Sequence, residues 1–148
     1  MNVEAIIKTT TSIPLRKRTI IHMQLVYNKM DEELTGALKP YEVSLQQFNV
    51  LRILRGQKGH PANLSTLNER MVSKMSNTTR LVDKLLAKGF VRREVCAANR
   101  RKVEIYITPK GSAILEEMDT AIAKAEDVIL QQFTNPELLQ LNTLLDKF

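Results

Sequence analysis

The sequence predicts a mainly helical protein carrying one small β-hairpin, and three observations lead there. Apolar residues recur at helical spacing along most of the 148 residues. Only Val91 to Glu94 and Val103 to Thr108 are strand-like; in the second, Val103, Ile105 and Ile107 alternate with Glu104 and Tyr106. The stretch Ser73 to Gly89 reads as an amphipathic helix and leads straight into that hairpin, whose turn, Ala97-Ala98-Asn99-Arg100-Arg101-Lys102, is tipped with cations. A helix followed by a cationic hairpin is the winged form of a helix-turn-helix.

Residues 1 to about 13, with Thr9-Thr10-Thr11-Ser12, give no strong structural signal. From about Pro14 to Leu38 a long helix is expected, with Met23, Val26, Tyr27, Met30, Leu34, Ala37 and Leu38 on one face. At 1.5 Å per residue such a helix is about 37 Å long. That is more than one small domain needs, so part of the face is expected to pack on another chain. Lys39-Pro40 ends it, because the residue before proline is pushed out of the α region. Ser44 with Gln47 three residues on predicts a capping box opening a second helix, with Phe48, Val50, Leu51, Ile53 and Leu54 as its apolar positions and an end near Gly56.

Leu64 to Met71 reads as a short helix with Leu64, Leu67 and Met71 inward. The amphipathic helix after it has Leu81, Val82, Leu85, Leu86 and Thr78 on its inner face and ends at Gly89, a residue suited to a left-handed C-terminal cap. Beyond the hairpin, Thr108 with Pro109 predicts the start of a long helix with an apolar stripe of Ile114, Leu115, Met118, Ile122, Ala125 and Ile129. Asn135-Pro136 restarts a last helix with Leu138, Leu141, Leu145 and Phe148 along one side. With no internal repeat or low-complexity linker, residues 1–148 are expected to form a single domain. About 44–108 would make the winged lobe, and about 1–40 and 109–148 the helical extensions.

The chain carries a formal net charge of +6, and it is unevenly spread. Pro61 to Gly111 holds eleven Lys/Arg against four Asp/Glu, a net of +7, so the remainder is at −1. Charge confined to one module points to a polyanionic partner. The outward residues of the amphipathic helix are of the types that hydrogen-bond base edges and phosphates. Ser76, Asn77, Thr79 and Arg80 lie where base edges would be reached, Lys74 and Lys84 where phosphates would be, and Arg100, Arg101 and Lys102 would meet phosphates or a minor groove.

Other classes find less support. There is no Gly-rich phosphate loop and no nucleophile motif, so no enzyme is expected. His22 and His60 lie on different elements with no ligands at metal spacing, so neither a metal nor a cofactor is expected. Cys96 is the single cysteine, which excludes an intrachain disulfide. With no long apolar run and no secretory signal pattern, a cytoplasmic protein without membrane attachment is expected. A winged module binding protein or RNA is the rival from the same fold.

The segments LNERM, SNTTRLVDKLLAKGFVRRE and NRRKVEIYITPKG, followed by a long helix, resemble the MarR family of transcriptional regulators, and the resemblance covers nearly the whole chain. It implies a homodimer held by interlocked N- and C-terminal helices, with two winged lobes on the double-stranded DNA of a pseudo-palindromic operator. It implies a transcriptional regulator, read here as a repressor with activation as the alternative, and often a small molecule or oxidant that releases the DNA. The effector site would lie where the dimer helices meet the lobe, near Arg16, His22, Tyr27 and Phe48, which read equally as core or interface residues. The family's oxidant sensors use a cysteine near the first long helix, and this chain has none there. Asn99 stands where the family's wing carries aspartate, while Arg101 keeps the arginine. Val72 stands in a glycine's place, and Lys74 replaces a serine that often caps the recognition helix; Ser73 is expected to take over as the cap.

Overall fold

Several helices in this chain start where a side chain can accept one of the first free backbone N–H groups. The computed structural model describes residues 1–74, 77–96 and 103–148. Their elements, in chain order, are α1 (Val3–Ile6), α2 (Leu15–Leu38), a 3-10 turn (Lys39–Tyr41), α3 (Leu45–Gly56), α4 (Leu64–Arg70), α5 (Thr78–Ala87), β1 (Val91–Val95), β2 (Val103–Ile107), α6 (Pro109–Leu130) and α7 (Asn135–Leu145). The mainly helical fold with a two-stranded wing is the one expected. No helix among the described residues is long and apolar enough to cross a membrane.

The chain forms two compact units, one of residues 37–124 and one of residues 1–36 with 125–148. In the first, Ser44 opens α3 through the expected capping box: Gln47 N donates to Ser44 Oγ at 3.2 Å, and Ser44 N donates to Gln47 Oε1 at 2.9 Å. Asn63 Oδ1 accepts from Thr66 N at 2.8 Å and starts α4. Thr108 Oγ1 accepts from Gly111 N at 3.0 Å at the head of α6. Phe48, Val50, Leu51 and Leu54 of α3, Leu67 of α4, Val82 and Leu85 of α5, Val91 and Ile105 of the strands, and Leu115 and Met118 of α6 are all buried. Fully burying one such side chain is worth roughly 1.5–3 kcal/mol, so this core is ample for one small lobe.

The two strands pair antiparallel, from Val91 opposite Ile107 to Val95 opposite Val103. A third, one-residue rung was not expected. Ala62, just before α4, exchanges both backbone hydrogen bonds with Ile105, at 3.0 and 2.8 Å, and so fastens the hairpin to the approach of α4. Gly111 sits where only glycine fits, because a Cβ there would lie 2.0 Å from the Phe90 carbonyl oxygen. That same oxygen accepts from Thr108 N at 3.0 Å.

The unit of residues 1–36 and 125–148 differs from expectation at its start. Residues 1–13 contain a short helix, α1, capped by Asn2 Oδ1 accepting from Ala5 N at 3.1 Å, with Val3 fully buried. Arg18 of α2 grips Glu4 with two bonds, Nε to Oε1 at 2.7 Å and Nη2 to Oε2 at 3.2 Å. That hydrogen-bonded guanidinium holds the Glu4 carboxyl below its ordinary pKa. The last helix begins at Thr134, whose N–H and hydroxyl both donate to Glu137 Oε2 at 2.8 Å.

Candidate nucleic-acid interface

The recognition helix α5 is shorter than its sequence pattern suggested. It spans Thr78–Ala87, where Ser73 to Gly89 was expected. Its cap is Asn77, whose Oδ1 accepts from Arg80 N at 3.1 Å. Ser73 therefore does not start this helix. An asparagine three residues before the N–H it caps satisfies the same geometric rule, and it has the further advantage that Thr78, next in line, is buried against α4. At the other end Gly89 takes a positive φ of +71°, as its predicted capping role requires.

Of the expected inner face, Val82 and Leu85 are fully buried and Thr78 is 4% exposed, while Leu81 and Leu86 are half-buried. Thr79, Arg80 and Lys84 point to solvent. Asn77 is exposed too, but its carbonyl oxygen is committed to the cap, leaving its amide hydrogens as the groups it can offer. Lys74 is not idle in the turn. Its Nζ donates to Glu69 O at 2.6 Å and to Asn68 O at 3.5 Å, closing the carbonyl end of α4. Ser76, Arg100, Arg101 and Lys102 lie outside the described residues, as does Asn99.

Side-chain contacts that the sequence did not disclose fix this face. Asn68 of α4 holds the Thr78 hydroxyl at the head of α5. Asp83, on the solvent side of α5, accepts from Arg93 of β1 at 2.7 Å, tying helix to wing. Lys88 reaches Glu42 at 3.1 Å, and Lys110 Nζ donates to Lys88 O at 2.9 Å, so the far end of α5 is held as well. On the outer face of the hairpin Arg92 stacks over the Tyr106 ring at 4.1 Å and pairs with Glu94. Tyr106 donates its hydroxyl to Glu104 at 3.1 Å. Desolvation, followed by the bond to Glu104, raises the Tyr106 pKa. Arg92 and Arg93 are thus spent on holding the wing, and the excess positive charge of the outward helix face comes from Arg80 and Lys84. Cys96, just past β1, is a half-buried free thiol.

A cleft of about 580 Å³ opens beside the C-terminal end of α5, lined among others by Tyr41, Glu42, Lys88, Phe90, Lys110 and Ile114. None of Arg16, His22, Tyr27 and Phe48 lines it. Phe48 is a core residue with Arg52 over its ring at 5.7 Å.

Comparison with known proteins agrees with this geometry. The MarR family model matches residues 43–103, from the approach to α3 into β2. The HTH-type transcriptional regulator PecS of Dickeya dadantii (strain 3937) is 30% identical over 121 residues, covering 80% of this chain and 72% of PecS. The transcriptional repressor MprA of Escherichia coli (strain K12) is 27% identical over 141 residues, 88% of this chain and 78% of MprA. Among solved structures, a cysteine-to-serine mutant of E. coli MarR complexed with operator DNA superposes with a TM-score of 0.76 at 27% identity, covering 90% of this chain and 93% of that one. With a wing, a capped recognition helix and a relative of this identity and coverage, the chain belongs to the MarR family of winged-helix transcriptional regulators.

Proposed function

We propose that this regulator acts as a homodimer that binds double-stranded DNA at a palindromic operator and represses transcription there. The observation that carries the reading is the exposed face of α5. Thr79, Arg80 and Lys84 stand outward on a helix whose two ends and middle are all anchored. A rigid helix presenting an arginine and small polar groups suits major-groove readout, in which each side chain must meet a base edge within hydrogen-bonding distance. Arg80 is the base reader we assign, with Asn77, Ser76 and Thr79 beside it and Lys84 on the phosphates. Arg100, Arg101 and Lys102 of the wing would meet phosphates or the adjacent minor groove. That a MarR protein of similar fold was solved with operator DNA supports DNA as the partner.

Two such helices, held one helical turn of DNA apart (about 34 Å), would read the two halves of the operator. The second copy would pack on the terminal helices, which leave large apolar side chains exposed in the protomer, among them Leu15, Tyr27, Leu139 and Phe148. Release by a small molecule requires a ligand that binds one arrangement of the lobes better than the other. The cleft beside α5 is a place on this chain where a ligand would touch the recognition helix.

Selection of bound sites from random DNA duplexes tests the reading. A palindromic consensus is the expected result, and an enriched pool without dyad symmetry would overturn it. Against the selected site, Arg80→Ala should weaken binding by about 1–3 kcal/mol, the worth of a bidentate arginine–guanine contact, with the thermal midpoint unchanged. Equal affinity of variant and wild type at fixed salt would remove Arg80 from the interface.

A further inference from the structure

The joint between α4 and α5 turns on one hydroxyl. Among the described residues only two polar side chains are buried, Gln47 at 4% and Thr78 at 4% exposure. Gln47 is accounted for by its own helix, since its side-chain oxygen closes the capping box on Ser44. Thr78 is different. It is the first residue of α5, and its Oγ1 crosses to Asn68 Oδ1 on the last turn of α4. The backbone carbonyls of Asn68 and Glu69 in turn accept from Lys74, midway along the connecting turn. Three parts of the helix-turn-helix therefore meet at Asn68: α4 itself, the turn through Lys74, and the head of α5 through Thr78.

The apolar contacts of the same joint cannot do what this bond does. Leu67, Met71, Val82 and Leu85 bury their surface, but hydrophobic burial is non-directional and tolerates a small rotation of α5 about its axis. A hydrogen bond from a buried hydroxyl tolerates little, because an unmet donor there carries a desolvation penalty. Thr79 and Arg80 follow Thr78 directly, so whatever fixes Thr78 fixes the direction in which the outward face begins.

We propose that Asn68 and Thr78 are positioning residues for sequence selectivity, setting the rotation at which α5 presents Arg80 to the bases. The inference rests on the operator-reading function above and adds to it residues that need not touch a base.

The test compares wild type, Thr78→Val, Thr78→Ser and Asn68→Ala for affinity to the selected duplex and to a random duplex at one salt concentration, with thermal midpoints alongside. Thr78→Val keeps the shape and removes the hydroxyl, and should lose about three- to tenfold in affinity for the selected duplex, the scale of one neutral hydrogen bond. Affinity for the random duplex, governed by phosphate contacts, should stay as in wild type. Thr78→Ser, which keeps the hydroxyl, should retain the wild-type ratio of the two affinities. If Thr78→Val does not fold, Asn68→Ala on the exposed side of α4 carries the same expectation. An unchanged ratio in the variants lacking the bond overturns the inference, as does a parallel fall on both duplexes or an equal loss in Thr78→Ser. A wild-type protein that selects no duplex at all would instead overturn the operator reading, and the positioning role with it.

Discussion

The lobe of residues 37–124 and the terminal unit of residues 1–36 and 125–148 are built from equally regular apolar patterns, yet they finish differently. In the lobe the pattern ends as a core: α3, α4, α5 and the strands bury their apolar faces, and among the described residues Val72 and Val95 are its exposed large hydrophobics. In the terminal unit, Val3 and Ala125 are buried, while Ile20, Tyr27, Val128, Phe133, Leu139 and Leu144 remain open, with Leu15 at 78% and Phe148 at 86% exposure. The same helical periodicity thus serves two ends. One face closes on its own chain, and the other leaves its apolar side chains open to solvent. Exposed apolar patches of this extent mark interaction surfaces.

The largest effect should follow from attacking the unfinished half. Leu141→Asp with Leu145→Asp places two charges on the α7 face while leaving every lobe residue untouched. For the proposed homodimer, light scattering should then fall from twice the chain mass of 16.9 kDa to that of one chain. Affinity for the selected duplex should drop by about a hundredfold or more, because the second half-site loses its tethered partner. The lobe's affinity for a random duplex should survive. A variant that stays dimeric would show that the open α7 face is not where the copies meet.

The lobe offers the converse experiment. Gly111→Ala would set a Cβ against the Phe90 carbonyl, at the point where α6 starts and α5 has just ended. The contact is with backbone, so relief requires the helix to shift, and a cost of about 3 kcal/mol is expected, the upper end for overpacking. Thermal unfolding should report that loss while the mass in solution stays as in wild type. An unchanged midpoint would mean that the α6 start is more adaptable than its hydrogen bonds suggest.

How much of this was readable from residues alone depends on the range of the interaction. Ser44 with Gln47, and Thr108 with Pro109, were legible because a cap needs only its own next three residues. Gly89 was legible for the same reason. The cap of α5 was not: Ser73 and Asn77 both satisfy the local rule, and the structure's choice of Asn77 goes with the bond from Thr78 to Asn68, ten residues away. The rung at Ala62 is a single residue and leaves no periodicity to detect. Arg93 read as one cation of a basic segment, and only the hairpin register that turns it toward Asp83 shows it to be a strap. The charge of Lys74 is visible in the sequence, whereas the path of the turn that folds its ammonium back onto α4 is not.

The smallest expected effect contrasts the two units through the same device. The capping box of α3, in the lobe, is made of neutral partners, Ser44 and Gln47. That of α7, in the terminal unit, uses a carboxylate: Glu137 accepts from the Thr134 N–H and hydroxyl, and these two bonds, the backbone one first, hold its pKa below the ordinary value. A carboxyl whose folded pKa is depressed stabilises the fold above its unfolded pKa, about 4.3 for glutamate, and that contribution is lost as pH falls through the lower, folded value. Glu137 is exposed, so the effect should be confined to fraying at the head of α7. Amide exchange at Leu138, whose N–H bonds Thr134 O at 3.0 Å, should quicken as the solution is acidified through that window, relative to the intrinsic exchange rate. Glu137→Gln should remove the acid dependence, because an amide in the same place does not titrate. Exchange at Phe48, the matching amide of α3, which bonds Ser44 O at 2.9 Å, should show no such dependence in either protein. If both helix starts responded alike to acid, the response would belong to the whole chain and not to the carboxylate, and the two boxes would be equivalent after all.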